Sequence, residues 1–85
     1  MVILYHPKFV REYKRLPEKV KDFAESREKL FRADPFDSRL KTHKLKGPLN
    51  GFWSFSINQK YRIIFEFGGR DAAWFHSVGT HTIYQ

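Results

Sequence analysis

Three side chains in the second half of this 85-residue chain have the chemistry to move protons and hold a phosphate: His43, Arg62 and His81. RNA can be cut without a metal when its 2′-hydroxyl attacks the adjacent phosphorus. That reaction needs a base for the hydroxyl proton, cations for the charge that builds on the phosphorane oxygens, and an acid for the departing 5′-oxygen. An imidazole, with an unperturbed pKa near ~6.5, serves as base or acid at neutral pH. A guanidinium grips phosphate oxygens in pairs. Lys41, Lys44 and Lys46 flank His43 at near-alternating spacing and would track a phosphate backbone. Plainer readings of the same residues are an idle loop histidine, a strand-end histidine bonded to backbone, an Arg62–Glu66 ion pair, and a solvated lysine run.

Charge agrees with an anionic partner. From Leu40 to Gln85 there are six Lys or Arg against two carboxylates, Glu66 and Asp71, with three His beside them. The whole chain carries a formal charge of +7 and a pI near 9.9, which favours nucleic acid, an acidic protein or an anionic surface. A resident metal fits poorly: there is no Cys, carboxylates are few, and no two His stand at helical i, i+4 spacing. No cofactor is expected. The absence of Cys suits the cytoplasm better than a secreted disulfide framework. No run approaches the ~20 apolar residues of a membrane span, and Met1–Tyr5 runs straight into His6-Pro7, so it reads as a strand and not as a signal segment.

One small domain, 1–85, must position these groups. Hydrophobic residues make up 41% of the chain and aromatics 18%, nine of them Phe, so a compact core is possible at this length. Val2 to Tyr5 reads as a strand. Pro7 suits the first position of a helix, and Phe9, Val10, Tyr13 and Leu16 follow at helical spacing. Pro17 breaks that helix and opens another, with Val20, Phe23, Ala24, Leu30 and Phe31 as its apolar stripe. Asp34-Pro35 ends it, because the residue before proline is driven out of the α region. Residues 35–51 read as a long loop. Three strands follow, Phe52 to Ile57, Tyr61 to Phe67 and Ala72 to Val78, joined by short turns. Along the second, Arg62, Ile64 and Glu66 alternate with an apolar face of Tyr61, Ile63, Phe65 and Phe67, so Arg62 points away from that face. His76 reads as a hydrogen-bonded strand histidine. The expected class is α+β: β-α-α-β-β-β, an antiparallel sheet packed on a helical hairpin.

That order, with Leu45-Lys46-Gly47, Gly51-Phe52-Trp53-Ser54, Tyr61-Arg62-Ile63-Ile64-Phe65 and Gly79-Thr80-His81 followed by Tyr84, resembles the RelE/ParE superfamily of type II toxin–antitoxin toxins, in particular its RelE/StbE and YoeB-like branch. The resemblance implies an endoribonuclease that cleaves messenger RNA on the ribosome and is held in check by a cognate antitoxin protein. It places His43 where relatives carry a Glu general base and His81 where they carry His or Arg. It makes Arg62 the strand arginine on the scissile phosphate and Tyr84 the near-terminal aromatic that stacks on a base or orients the phosphate. Relatives often add basic residues where this chain has Phe55 and Ser56, so transition-state charge would rest on Arg62 and the Lys44/Lys46 loop. Two other readings stay open on the same fold: a ParE-like DNA gyrase poison, and a non-catalytic RNA-binding domain.

Overall fold

The structure, a computed structural model, describes residues 1–84. Strand β1 spans Val2–Tyr5, helix α1 Pro7–Lys14 and helix α2 Glu18–Ala33; strands β2 His43–Lys44, β3 Trp53–Ser56, β4 Tyr61–Phe67 and β5 Ala72–Thr80 follow. Short 3-10 turns occupy Ser38–Leu40, Gly47–Leu49 and His81–Tyr84.

Local chemistry starts and stops the helices where the residue types demand. His6 caps α1, its Nδ1 accepting from the Lys8 N–H at 3.2 Å, and Pro7 takes the first helical position, where no N–H is missed. Glu18 sits in the first turn of α2, and the Asp34 backbone is extended before Pro35.

The sheet order is β1-β5-β4-β3-β2. Strands β3, β4 and β5 form the expected antiparallel meander, with two additions that make the sheet mixed and five-stranded. β1 pairs parallel with β5, because the helical hairpin carries the chain across the sheet and returns it in the same sense. β2, only two residues long, pairs antiparallel with β3 inside what reads in sequence as a loop. One face of the sheet meets the helices through a phenylalanine cluster. Phe31 of α2 lies 5.0 Å from Phe55, 4.9 Å from Phe65 and 5.4 Å from Phe75 between ring centroids, and all four are fully buried. No helix among the described residues is long and apolar enough to cross a membrane.

The other face carries the candidate chemistry. Register places Ser54, Ile64 and Ser77 in one row, and Ser56, Arg62 and Gly79 in the next. Between Ile64 and Phe65 the pairing skips His76, a bulge that bends β5. Glu12 of α1 holds the bent strand by accepting from the Ser77 hydroxyl at 2.9 Å and the Val78 N–H at 3.2 Å.

Candidate active site

His43 lies on β2 directly opposite Ser54 of β3, so the two side chains share the face away from the helices. Its Nδ1 is 3.0 Å from the Lys41 carbonyl oxygen. A carbonyl only accepts, so Nδ1 carries the proton, and the neutral ring keeps its lone pair on Nε2. This is the tautomer a general base needs. The carbonyl is aimed by an uncommon backbone: Lys41 has φ 54°, in the left-handed region, at the end of the Ser38–Leu40 turn. Such a conformation costs on the order of 1–3 kcal/mol in a residue other than glycine and gathers at functional sites.

Ser54 is 0% exposed, and its hydroxyl is satisfied by Tyr84, oxygen to oxygen 2.7 Å. The His81–Tyr84 turn is therefore strapped across the sheet. Gly79 makes room for the strap. A Cβ on residue 79 would stand 2.6 Å from Ile83 Cγ2, closer than real Cβ contacts come. Gly79→Ala should push the His81–Tyr84 turn off the sheet and slow substrate cleavage by ~10- to 10²-fold, the usual cost of a displaced reacting group. Adding Ile83→Ala, which removes the clashing methyl, should recover most of that loss. Thermal melts of both variants control for folding, and an unchanged rate in Gly79→Ala would disprove the strap's role.

His81 opens that turn, exposed, just past Thr80, which pairs with Tyr61 beside Arg62. The Arg62 side chain is half-buried and anchored through Nη1 to the backbone carbonyls of Asn58, at 2.5 Å, and Tyr61, at 3.0 Å. Among the described residues its Nε and Nη2 hydrogens make no bond and can serve a ligand. The ion pair with Glu66 does not form; Glu66 accepts instead from His76 Nε2 at 3.0 Å.

The three lysines go to different places. Lys44 is opposite Trp53, with Nζ 5.9 Å from the indole centroid, and Trp53 packs against Phe67 on the helix side of the sheet, so Lys44 faces away from His43. Lys46 is exposed at the start of the Gly47–Leu49 turn. Lys41 alone joins Arg62, in a recess of 380 Å³ that Arg27 and Arg39 also line. Sequence reasoning missed those two arginines. Arg27 lies among the polar residues of α2, and nothing local in the chain indicates that it reaches Ile57 of the sheet, to whose carbonyl its Nε donates at 3.2 Å. Among the described residues no three His, Cys, Asp or Glu side chains are grouped to hold a metal.

No family model matches the chain. A toxin YoeB from Synechocystis is 42% identical over 38 residues, 45% of this chain and 44% of that protein, so the match spans less than half of either. Solved structures agree over nearly the full length. A YoeB/ParE toxin from Agrobacterium tumefaciens superposes with a TM-score of 0.81 at 19% identity, covering 95% of this chain and 99% of that one. YafQ from E. coli gives 0.80 at 16% identity, over 96% and 94%. A chain of a YoeB–YefM complex from Staphylococcus aureus gives 0.77 at 21%, over 95% and 97%.

Proposed function

We propose that this chain, which has the fold of the RelE/ParE toxin superfamily and a segment similar in sequence to a YoeB, is the toxin of a type II toxin–antitoxin pair and cuts messenger RNA on the ribosome without a metal. The observation that carries the reading is the His43 Nδ1–H bond to the Lys41 carbonyl, which leaves Nε2 as a base on the sheet face shared with Ser54, Tyr84 and Arg62.

In the reaction, His43 Nε2 takes the proton of the 2′-hydroxyl as that oxygen bonds to phosphorus. Negative charge builds on the non-bridging oxygens and is met by the Arg62 guanidinium, whose position is set beforehand by the Asn58 and Tyr61 carbonyls. The bond from phosphorus to the 5′-oxygen breaks, and that oxygen takes a proton from the His81 imidazolium. The RNA is left with a 2′,3′-cyclic phosphate on one fragment and a 5′-hydroxyl on the other. Tyr84, fixed through Ser54, orients the nucleotide by its ring and phenol.

The partner is proposed to be an antitoxin with an acidic and apolar segment that folds on binding, suited to a basic surface of this kind. Proteins of the same fold have been solved in toxin–antitoxin complexes, YoeB with YefM and YafQ with DinJ among them. Induced expression should arrest growth and deplete translated messages, and in a reconstituted translation system cleavage should persist with phenanthroline, which strips transition metals and leaves the Mg²⁺ that ribosomes need. Co-expression of the neighbouring antitoxin gene should relieve the arrest and yield a co-purifying complex. Gyrase-dependent DNA breaks with messages intact would refute the nuclease reading and favour the gyrase poison.

A further inference from the structure

We infer that the recess lined by Arg27, Lys41 and Arg62 seats a second, non-scissile phosphate of the RNA strand, with Arg27 as one of its fixed cations. The inference rests on the nuclease reading and adds to it a site that fixes the strand's register.

Four cations from α2, the loop after it and β4 converge there, and among the described residues no carboxylate lines the recess. One of the four is already neutralised. Arg39 donates to Asp37 through Nε at 3.0 Å and Nη2 at 2.7 Å, and these bonds hold the Asp37 carboxyl down to about 2. The other three keep their charge. Arg27 is anchored by the Ile57 carbonyl and Arg62 by those of Asn58 and Tyr61, so both guanidinia are positioned by neutral acceptors and not by counter-ions. A surface ion pair would fix a guanidinium and cancel it; a backbone carbonyl fixes it and leaves the field intact. Gathering three such charges disfavours the empty fold by mutual repulsion, which an anion would relieve. Ser56 and Asn58 line the same space, and Asn58 Oδ1 already accepts from the Lys60 and Tyr61 N–H groups.

A phosphodiester fits this set better than a carboxylate. Donors approach from several directions, as the spread of oxygens on a tetrahedral anion requires. The recess is also continuous with the reacting site. Lys41 lines the recess and its carbonyl holds His43, and Arg62 lines the recess as well. A strand with its reacting phosphate at His43 would place a neighbouring phosphate in the recess, which sets which linkage is cut.

The test uses ribosomes programmed with a message that carries a 2′-deoxy sugar at the cut, so that binding is read without cleavage. A neutral methylphosphonate is walked along the flanking linkages, and binding of the parent protein is compared with Arg27→Gln. One non-scissile methylphosphonate should weaken the parent about 10-fold, as loss of a charged hydrogen bond does. Arg27→Gln should weaken binding of the natural message similarly, and the two changes together should cost little more than either alone. The slope of log affinity against log salt should fall by ~0.7 in Arg27→Gln, the value for one single-strand phosphate, and return in Arg27→Lys. Thermal melts control for the lost Ile57 bond.

Additive losses, or parent-like binding by Arg27→Gln, would overturn the inference while the nuclease reading stands. So would weakened antitoxin binding by Arg27→Gln with message binding intact, which would make the recess a seat for a protein carboxylate. A parent protein that neither binds nor cuts the programmed message would overturn both.

Discussion

Arg62→Ala is expected to lower single-turnover cleavage on programmed ribosomes by ~10³-fold, the upper range for removing one donor from a developing oxyanion. The reason is positional as well as electrostatic. The guanidinium bridges two backbone carbonyls and still offers Nε and Nη2, so it meets the phosphorane without reorganising. A lysine in its place is a point charge that cannot hold both carbonyls and a phosphate oxygen in one plane, so Arg62→Lys should recover only a small part of the rate. Because Arg62 also braces the β3–β4 turn, circular dichroism and a melt must accompany the kinetics. A folded Arg62→Ala variant that cuts within threefold of the parent would remove Arg62 from the chemistry.

His43→Ala and His81→Ala should each slow the same step by ~10²-fold or more while message binding is nearly retained, as loss of a proton-transfer group does. The two variants should differ in pH dependence. A general base works unprotonated, so its loss should abolish the fall in rate toward acid; a general acid works protonated, so loss of His81 should abolish the fall toward alkali. Ser54→Ala, which leaves both imidazoles in place and frees Tyr84, should change substrate affinity more than either limb. If both histidine variants cut at the parent rate, the proton-transfer assignment is wrong. A loss confined to His81 would keep the site and move the base elsewhere.

The parts of this molecule legible in sequence are those with a period. Alternation along Tyr61–Phe67 put Arg62 opposite the apolar face, and register confirms that Ile63 and Phe65 join the core while Arg62 shares a row with Ser56. The proline signals at Pro7, Pro17 and Pro35 bracket the two helices closely. What escaped was set by long-range pairing. β2 has two residues, too few to carry a pattern, yet its pairing with β3 decides the faces: His43 shares one with Ser54, and Lys44, one residue on, turns to Trp53. Of the three lysines it is Lys41 that lines a recess with Arg62. The parallel pairing of β1 with β5 and the reach of Arg27 to the sheet are tertiary facts without a local signature.

The measurement closest to the central claim is the chemistry of the cut ends. Message cleaved by the purified protein on ribosomes should carry a 2′,3′-cyclic phosphate, or the 3′-phosphate it hydrolyses to, on the upstream fragment and a 5′-hydroxyl on the downstream one. A single 2′-deoxy substitution at the cut should abolish cleavage there. Fragments bearing 5′-phosphates, or undiminished cutting of the 2′-deoxy message, would contradict attack by the 2′-hydroxyl and with it the roles assigned to His43, Arg62 and His81.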